Sequence, residues 1–199
     1  MSKKEFIDQN RPAEIEYHEL LDLADTLEVP SFVQMLEQVM KADPYFMDSH
    51  LLMIELLNEG GQEKKAQRLL DEAFSRSIEL ITDKNKNWPK RLSWGFTENR
   101  HIIRMIFNKA TDLWHQKDTE PALELLRNLL KSNPNDNIGA RYYILAIRMG
   151  IDFQKFENRF NKNGYYDDEL IRWFDKHAIS YPNEFDTWFQ IIRKDSELL

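Results

Sequence analysis

"IRMIFNKATDLWHQKDTEPALELLRNLLKSNPND" (Ile103–Asp136) decides how the rest of the chain is read. Ile106, Ala110 and Leu113 recur at helical spacing, a polar break follows, and Ala122 and Leu126 belong to a second helical run that closes at Pro134. Two helices of this length cannot bury their apolar faces on each other alone, so such pairs stack on neighbouring pairs. The small residues let the helices approach closely. Lys109 is the misfit, a cation where a large apolar residue belongs.

Working outward, three Pro-containing turns, "KADPYF", "KSNPND" and "ISYPNE", carry Pro44, Pro134 and Pro182, each after one helical run and before another. A period of 34 residues with two insertions accommodates them. Residues 47–80 offer His50, Met53, Ile54, Leu57, Ala66 and Leu70, with "NEGGQ" as the turn. Residues 13–46 place Leu20, Leu23, Phe32 and Leu36 well but put Glu16 and Glu19 at apolar positions, which suits a polar capping unit. A fourth unit, 137–184, holds Ala140, Tyr143, Ile144 and Ile147 and resumes at Leu170 and Phe174 after an insertion at 151–164. That insertion, "IDFQKFENRFNKNG", spaces Phe153, Phe156 and Phe160 for one short helix ending at Gly164. A capping helix is expected over 185–199 and an insertion loop over 81–102. In that loop Trp94 and Phe96 are expected to pack back on helix ends, Trp88 to be the more exposed, and Thr97 to cap a helix beginning at Glu98.

These slots resemble the tetratricopeptide repeat, with its W-x2-L-G-x2-Y, A-x3-F and P pattern. "SWGFTENR" and "NPNDNIGAR" also resemble the repeat region of a group of bacterial tetratricopeptide proteins of unassigned function, which carry GW-x-ENR and NPNDN-x-G-x-R. The resemblance implies an all-α fold, an α-α superhelix of about ten helices in antiparallel pairs, forming a single domain over 1–199. It also implies a concave groove lined by the first helix of each pair, where Arg104, Phe107, Asn108, Trp114, Arg141 and Arg148 are the candidate binding residues. Arginines beside aromatics can grip a carboxylate while covering an apolar neighbour. The Lys/Asn carboxylate clamp of co-chaperone members has no counterpart, because Tyr17 and Leu21 stand at those positions.

The chain has 199 residues, 42% of them hydrophobic, only 6 glycines and little strand-like alternation, which independently favours an all-α globular protein. It has no cysteine, which removes disulfides and thiolate chemistry and leads to the expectation of a cytoplasmic protein. No apolar window is long enough to span a bilayer. The net charge of −7 is uneven: residues 1–80 hold 8 Lys+Arg against 17 Asp+Glu, 81–150 hold 12 against 7, and 151–199 hold 7 against 10. A cationic middle fits an acidic protein or peptide and leaves self-association open, while the overall acidity argues against nucleic acid.

No phosphate loop or nucleophile elbow is present, and the 5 histidines do not form a zinc helix motif. Glu98 and His101 match half of a di-iron helix motif and lack the second half. No metal or cofactor is therefore expected. The reading is a non-catalytic protein- or peptide-binding scaffold, with a small helical enzyme or metal protein as one alternative and nucleic-acid binding through the basic middle as another.

Overall fold

Proline opens the first helices, standing at the first position of one (Pro12) and the second of the next (Pro30), where its missing N–H costs nothing. A computed structural model describes residues 4–162, 165–166 and 168–196. Its helices are α1 (Pro12–Asp22), α2 (Val29–Ala42), α3 (Met47–Glu59), α4 (Glu63–Ile81), α5 (Arg100–His115), α6 (Thr119–Ser132), α7 (Ala140–Arg148), α8 (Phe153–Phe160), α9 (Asp168–His177) and α10 (Pro182–Ser196). Short 3-10 turns occupy Thr97–Asn99 and Ala178–Ser180, and a two-stranded antiparallel ladder, β1 (Asn161–Lys162) with β2 (Tyr165–Tyr166), follows α8. The all-α reading with ten helices holds for the described residues.

Three helix ends share one device. After α3, α5 and α7 the chain turns through the left-handed region at Gly61 (φ 68°), Lys117 (φ 69°) and Gly150 (φ 69°). In each case the next amide reaches back to a carbonyl five residues earlier: Gln62 to Leu57 (2.8 Å), Asp118 to Leu113 (2.8 Å) and Ile151 to Ala146 (3.0 Å). This is the paired hydrogen-bond closure that satisfies the last helical carbonyls, and glycine is its natural residue.

The chain divides into two compact units, 1–109 and 110–199, with the boundary inside α5. In unit 1, α1 packs on α2, α2 on α3 and α3 on α4. Its core gathers Ala13, Leu20, Phe32, Leu36, Val39, Phe46 and Met53, continued by Met47, Leu70, Ala73 and Met105. In unit 2, α6 packs on α7 and α7 on α9. Phe156 is its hub, with ring centroids 5.0 Å from Tyr143, 5.1 Å from Phe160, 5.5 Å from Trp114 and 6.0 Å from Trp173. Ala66, Ala110, Ala122 and Ala140 are all buried, as close helix approach requires.

Several local readings are corrected. Leu23 is 44% exposed, because α1 ends at Asp22 and Leu23 belongs to the turn. The turn at 97 is 3-10 and follows Phe96 without a side-chain cap, and the Thr97 hydroxyl donates to Glu98 instead. Trp88, Trp94 and Phe96 are all half-buried. The helix of the second insertion stops at Phe160, since β1 begins there; Gly164 lies outside the described residues, as do 197–199 of the expected last helix.

Candidate binding surfaces

On α5, the apolar side chains of Ile102, Ile103, Met105 and Ile106 are fully buried. This leaves Arg104 and Phe107 half-buried and Asn108 exposed. Arg104 is held by the α3 carboxylate of Asp48: its Nε donates to Oδ1 at 2.8 Å and a terminal nitrogen donates to Oδ2. Its guanidinium also lies over the Trp94 ring, 5.6 Å from the centroid, and the Asn108 amide donates to the Arg104 carbonyl at 2.9 Å. Arg100, one turn earlier, covers the same ring at 5.5 Å and donates to the Trp94 carbonyl. The loop aromatic is thus a platform for two arginines.

The unit 2 candidates are placed differently. Trp114 is 3% exposed and belongs to the Phe156 cluster. Arg141 donates to Asp136 at 2.7 Å and stands over Tyr142 (4.1 Å), Trp188 (5.3 Å) and Phe174 (5.6 Å). Arg148 meets Glu184 at 3.1 Å, a carboxylate it shares with Arg127. The hydrogen bond from Arg127 is the main reason the Glu184 carboxyl sits below its ordinary range. Each candidate arginine is therefore already neutralised within its own unit, and an incoming acid would have to displace Asp48, Asp136 or Glu184.

The two motifs around these residues are structural devices. Asp136 accepts from the Ala140 amide (2.7 Å) and the Arg141 amide (3.1 Å), so its carboxylate caps α7 from within "NPNDNIGAR". Burial pushes that carboxyl above its ordinary value although Arg141 pulls the other way. In "SWGFTENR" the working residue is Asn99, 0% exposed: its Oδ1 accepts from the Asp8 amide (3.0 Å), and its Nδ2 donates to the carbonyls of Phe6 (3.0 Å) and Ser93 (3.1 Å).

Asn99 borders a buried polar network that the sequence did not announce. The Met47 amide donates to His101 Nδ1 (3.0 Å), which leaves Nε2–H to donate to Asp8 (3.0 Å). Arg11 joins Asp8 to Asp43, donating to Asp43 through two bonds of 2.8 Å. Burial by itself would raise the Asp8 carboxyl, but the hydrogen bonds from His101 and Arg11 overcome it and hold it low. A cleft of about 720 Å³ runs along Phe6, Asp8, Arg11, Asp43, Tyr45 and Leu80. Glu98 does not join His101, since its carboxylate accepts from Thr97. Among the described residues no group of three or more His, Cys, Asp or Glu side chains could hold a metal ion, and no helix is long and apolar enough to cross a membrane.

These observations define an all-helical protein whose recurrent charged pairs and sequence motifs serve its own architecture. Residues 17–159 match the family model described as Transcriptional repressor TCF25, well over half of the chain, and the chain belongs to that family. No curated protein and no solved structure matches it. The family assignment overturns the tetratricopeptide reading. The 34-residue spacing and the small-residue slots express what any stack of helix pairs needs, so they do not distinguish one such family from another. The cytoplasmic expectation falls with it: the absence of cysteine names no compartment, and a family described as transcriptional repressors points to the nucleus. Overall acidity likewise gives no ground for setting nucleic acid aside as a partner, because a family so described works through protein or nucleic-acid contacts.

Proposed function

We propose that this chain is a non-catalytic protein- or peptide-binding module that serves the regulation named by its family's description, transcriptional repression. The supporting observation is the surface of α5 in unit 1. Arg104, Phe107 and Asn108 remain accessible there while their helical neighbours are buried, and Arg104 is set over Trp94 by Asp48. A planar aromatic beside a partly exposed, oriented guanidinium suits a peptide that carries an apolar group and an acid able to displace Asp48 from Arg104. The groups that a reaction would recruit, His101, Asp8, Arg11 and Asn99, are engaged inside the fold.

A tethered reporter tests this. The chain fused to a DNA-binding domain should lower expression from a promoter carrying that domain's site, and Phe107→Ala with Arg104→Gln should relieve the effect without shifting the thermal midpoint by more than a few degrees. Full repression by the double variant would remove this surface from the reading. No repression by the unaltered chain would remove the function.

A further inference from the structure

The turn between α1 and α2 presents an arrangement that neither the family nor the α5 surface accounts for. Leu21 is 37% exposed, Leu23 44% and Val29 69%, three large apolar side chains within nine residues. They alternate with Asp22, Asp25 and Glu28, all exposed. No Lys or Arg occurs between Arg11 and Lys41, a span that holds seven carboxylates. Among the described residues Asp22, Asp25 and Glu28 form no ion pair.

The tip is a formed turn. The amides of Leu23, Ala24, Thr26 and Leu27 donate to the carbonyls of Leu20, Leu21, Leu23 and Leu23, the Thr26 hydroxyl also donates to Leu23, and Leu27 anchors the turn in the unit 1 core. Little ordering entropy would be lost on binding there.

We infer that the α1–α2 tip docks a cationic segment with an apolar face, supplied by another protein. The apolar side chains need a cover that leaves water, and the carboxylates need cations with no competing internal partner. A phosphodiester backbone or an anionic lipid surface would be repelled by the same carboxylates. A second copy offers Lys84, Lys86, Lys90 and Arg91 in its loop, but the apolar residues there face inward: Leu92 and Pro89 are buried and Trp88 is half-buried. That loop supplies the charge without the apolar face.

The test uses the full chain and a synthetic Leu/Lys amphipathic helical peptide of about five turns. Two control peptides accompany it, one with the same lysines and Ser for Leu, the other with Glu for Lys. The Leu/Lys peptide should shift the amide resonances of residues 21–29 and bind more weakly as salt is raised. Leu21→Ser with Val29→Ser, and separately Asp22→Asn, Asp25→Asn and Glu28→Gln together, should each weaken it by about tenfold or more with the thermal midpoint retained. Equal binding of the Ser-containing peptide, shifts confined to other residues, or unchanged affinity of either variant would overturn the inference. So would concentration-dependent dimerisation abolished by Val29→Ser, which would assign the tip to a second copy.

Discussion

Asn99 shows at the scale of one residue how much of a fold can depend on a side chain that periodicity does not register. Its amide makes three hydrogen bonds to backbone groups, two of them to residues more than ninety positions away. Asn99→Ala leaves the Asp8 amide and two carbonyls without those partners around a buried position, so a loss of about 1–3 kcal/mol is expected, read from the midpoint of urea unfolding. Asp8 adds a pH dependence. Its folded carboxyl titrates below the ordinary value of 3.8, so the unfolded chain binds the proton more readily. The stability it contributes is present above that value and is lost as pH falls through the lower folded value; Asp8→Asn should be less stable at neutral pH and should flatten the acid limb of the stability profile. Neither role was legible beforehand. "GFTENR" announced a helix start, and nothing in it could name Phe6 or Asp8 as the groups that Asn99 holds. The arginines are opaque in a similar way: Arg104 and Arg141 have the chemistry to hold an anion, and only the folded chain brings Asp48, 56 positions away, onto Arg104.

Single elements were far more readable, because helix and turn signals are local. Phe156 and Phe160 became the buried face of α8 as their spacing required, and the closely approaching alanines fell inside. The ladder after α8 was missed, being a two-residue pairing with no alternating pattern. Lys117 exposes a cost that evolution has left in place. It adopts the left-handed conformation that Gly61 and Gly150 take at equivalent helix ends, and it is exposed. Lys117→Gly should therefore raise stability by about 1 kcal/mol, less the added freedom of the unfolded chain. Calorimetry on the two proteins at matched concentration decides the sign. A lower midpoint for the glycine variant would show that the lysine side chain contributes more than its backbone costs.

At the scale of the whole molecule the uneven charge has a different meaning from the one composition offered. The +5 middle is a free cationic field only in part, at Lys84, Lys86, Lys90 and Arg91 of the exposed loop. Arg104, Lys109, Arg127, Arg141 and Arg148 are each spent on carboxylates of the chain, including Asp48 and Asp71 from the acidic first segment. Segmental charge was legible; its cancellation in space was not. Unit 2 supplies a further expectation. Ending the chain after Gly150 would remove Phe156, which covers Trp114 and Tyr143, and Phe174, which covers Tyr142. The fragment 1–150 should self-associate on size exclusion and bind hydrophobic dyes, whereas a monomer that melts cooperatively would show that the α8–α10 segment is dispensable.

The extended segment from Lys4 to Asp8 carries one more consequence, in the language of exchange. Its backbone is laid against the loop by Phe6 to Arg91 (2.9 Å) and Arg91 to Lys4 (3.1 Å), and the Asp8 amide ends on Asn99. Amides outside any helix ordinarily trade their protons with solvent quickly. Those of Phe6, Asp8 and Arg91 should instead be retained as long as those of α5, because opening them requires unseating Asn99. The slow-exchanging body of unit 1 would then include a strip of chain with no regular structure of its own.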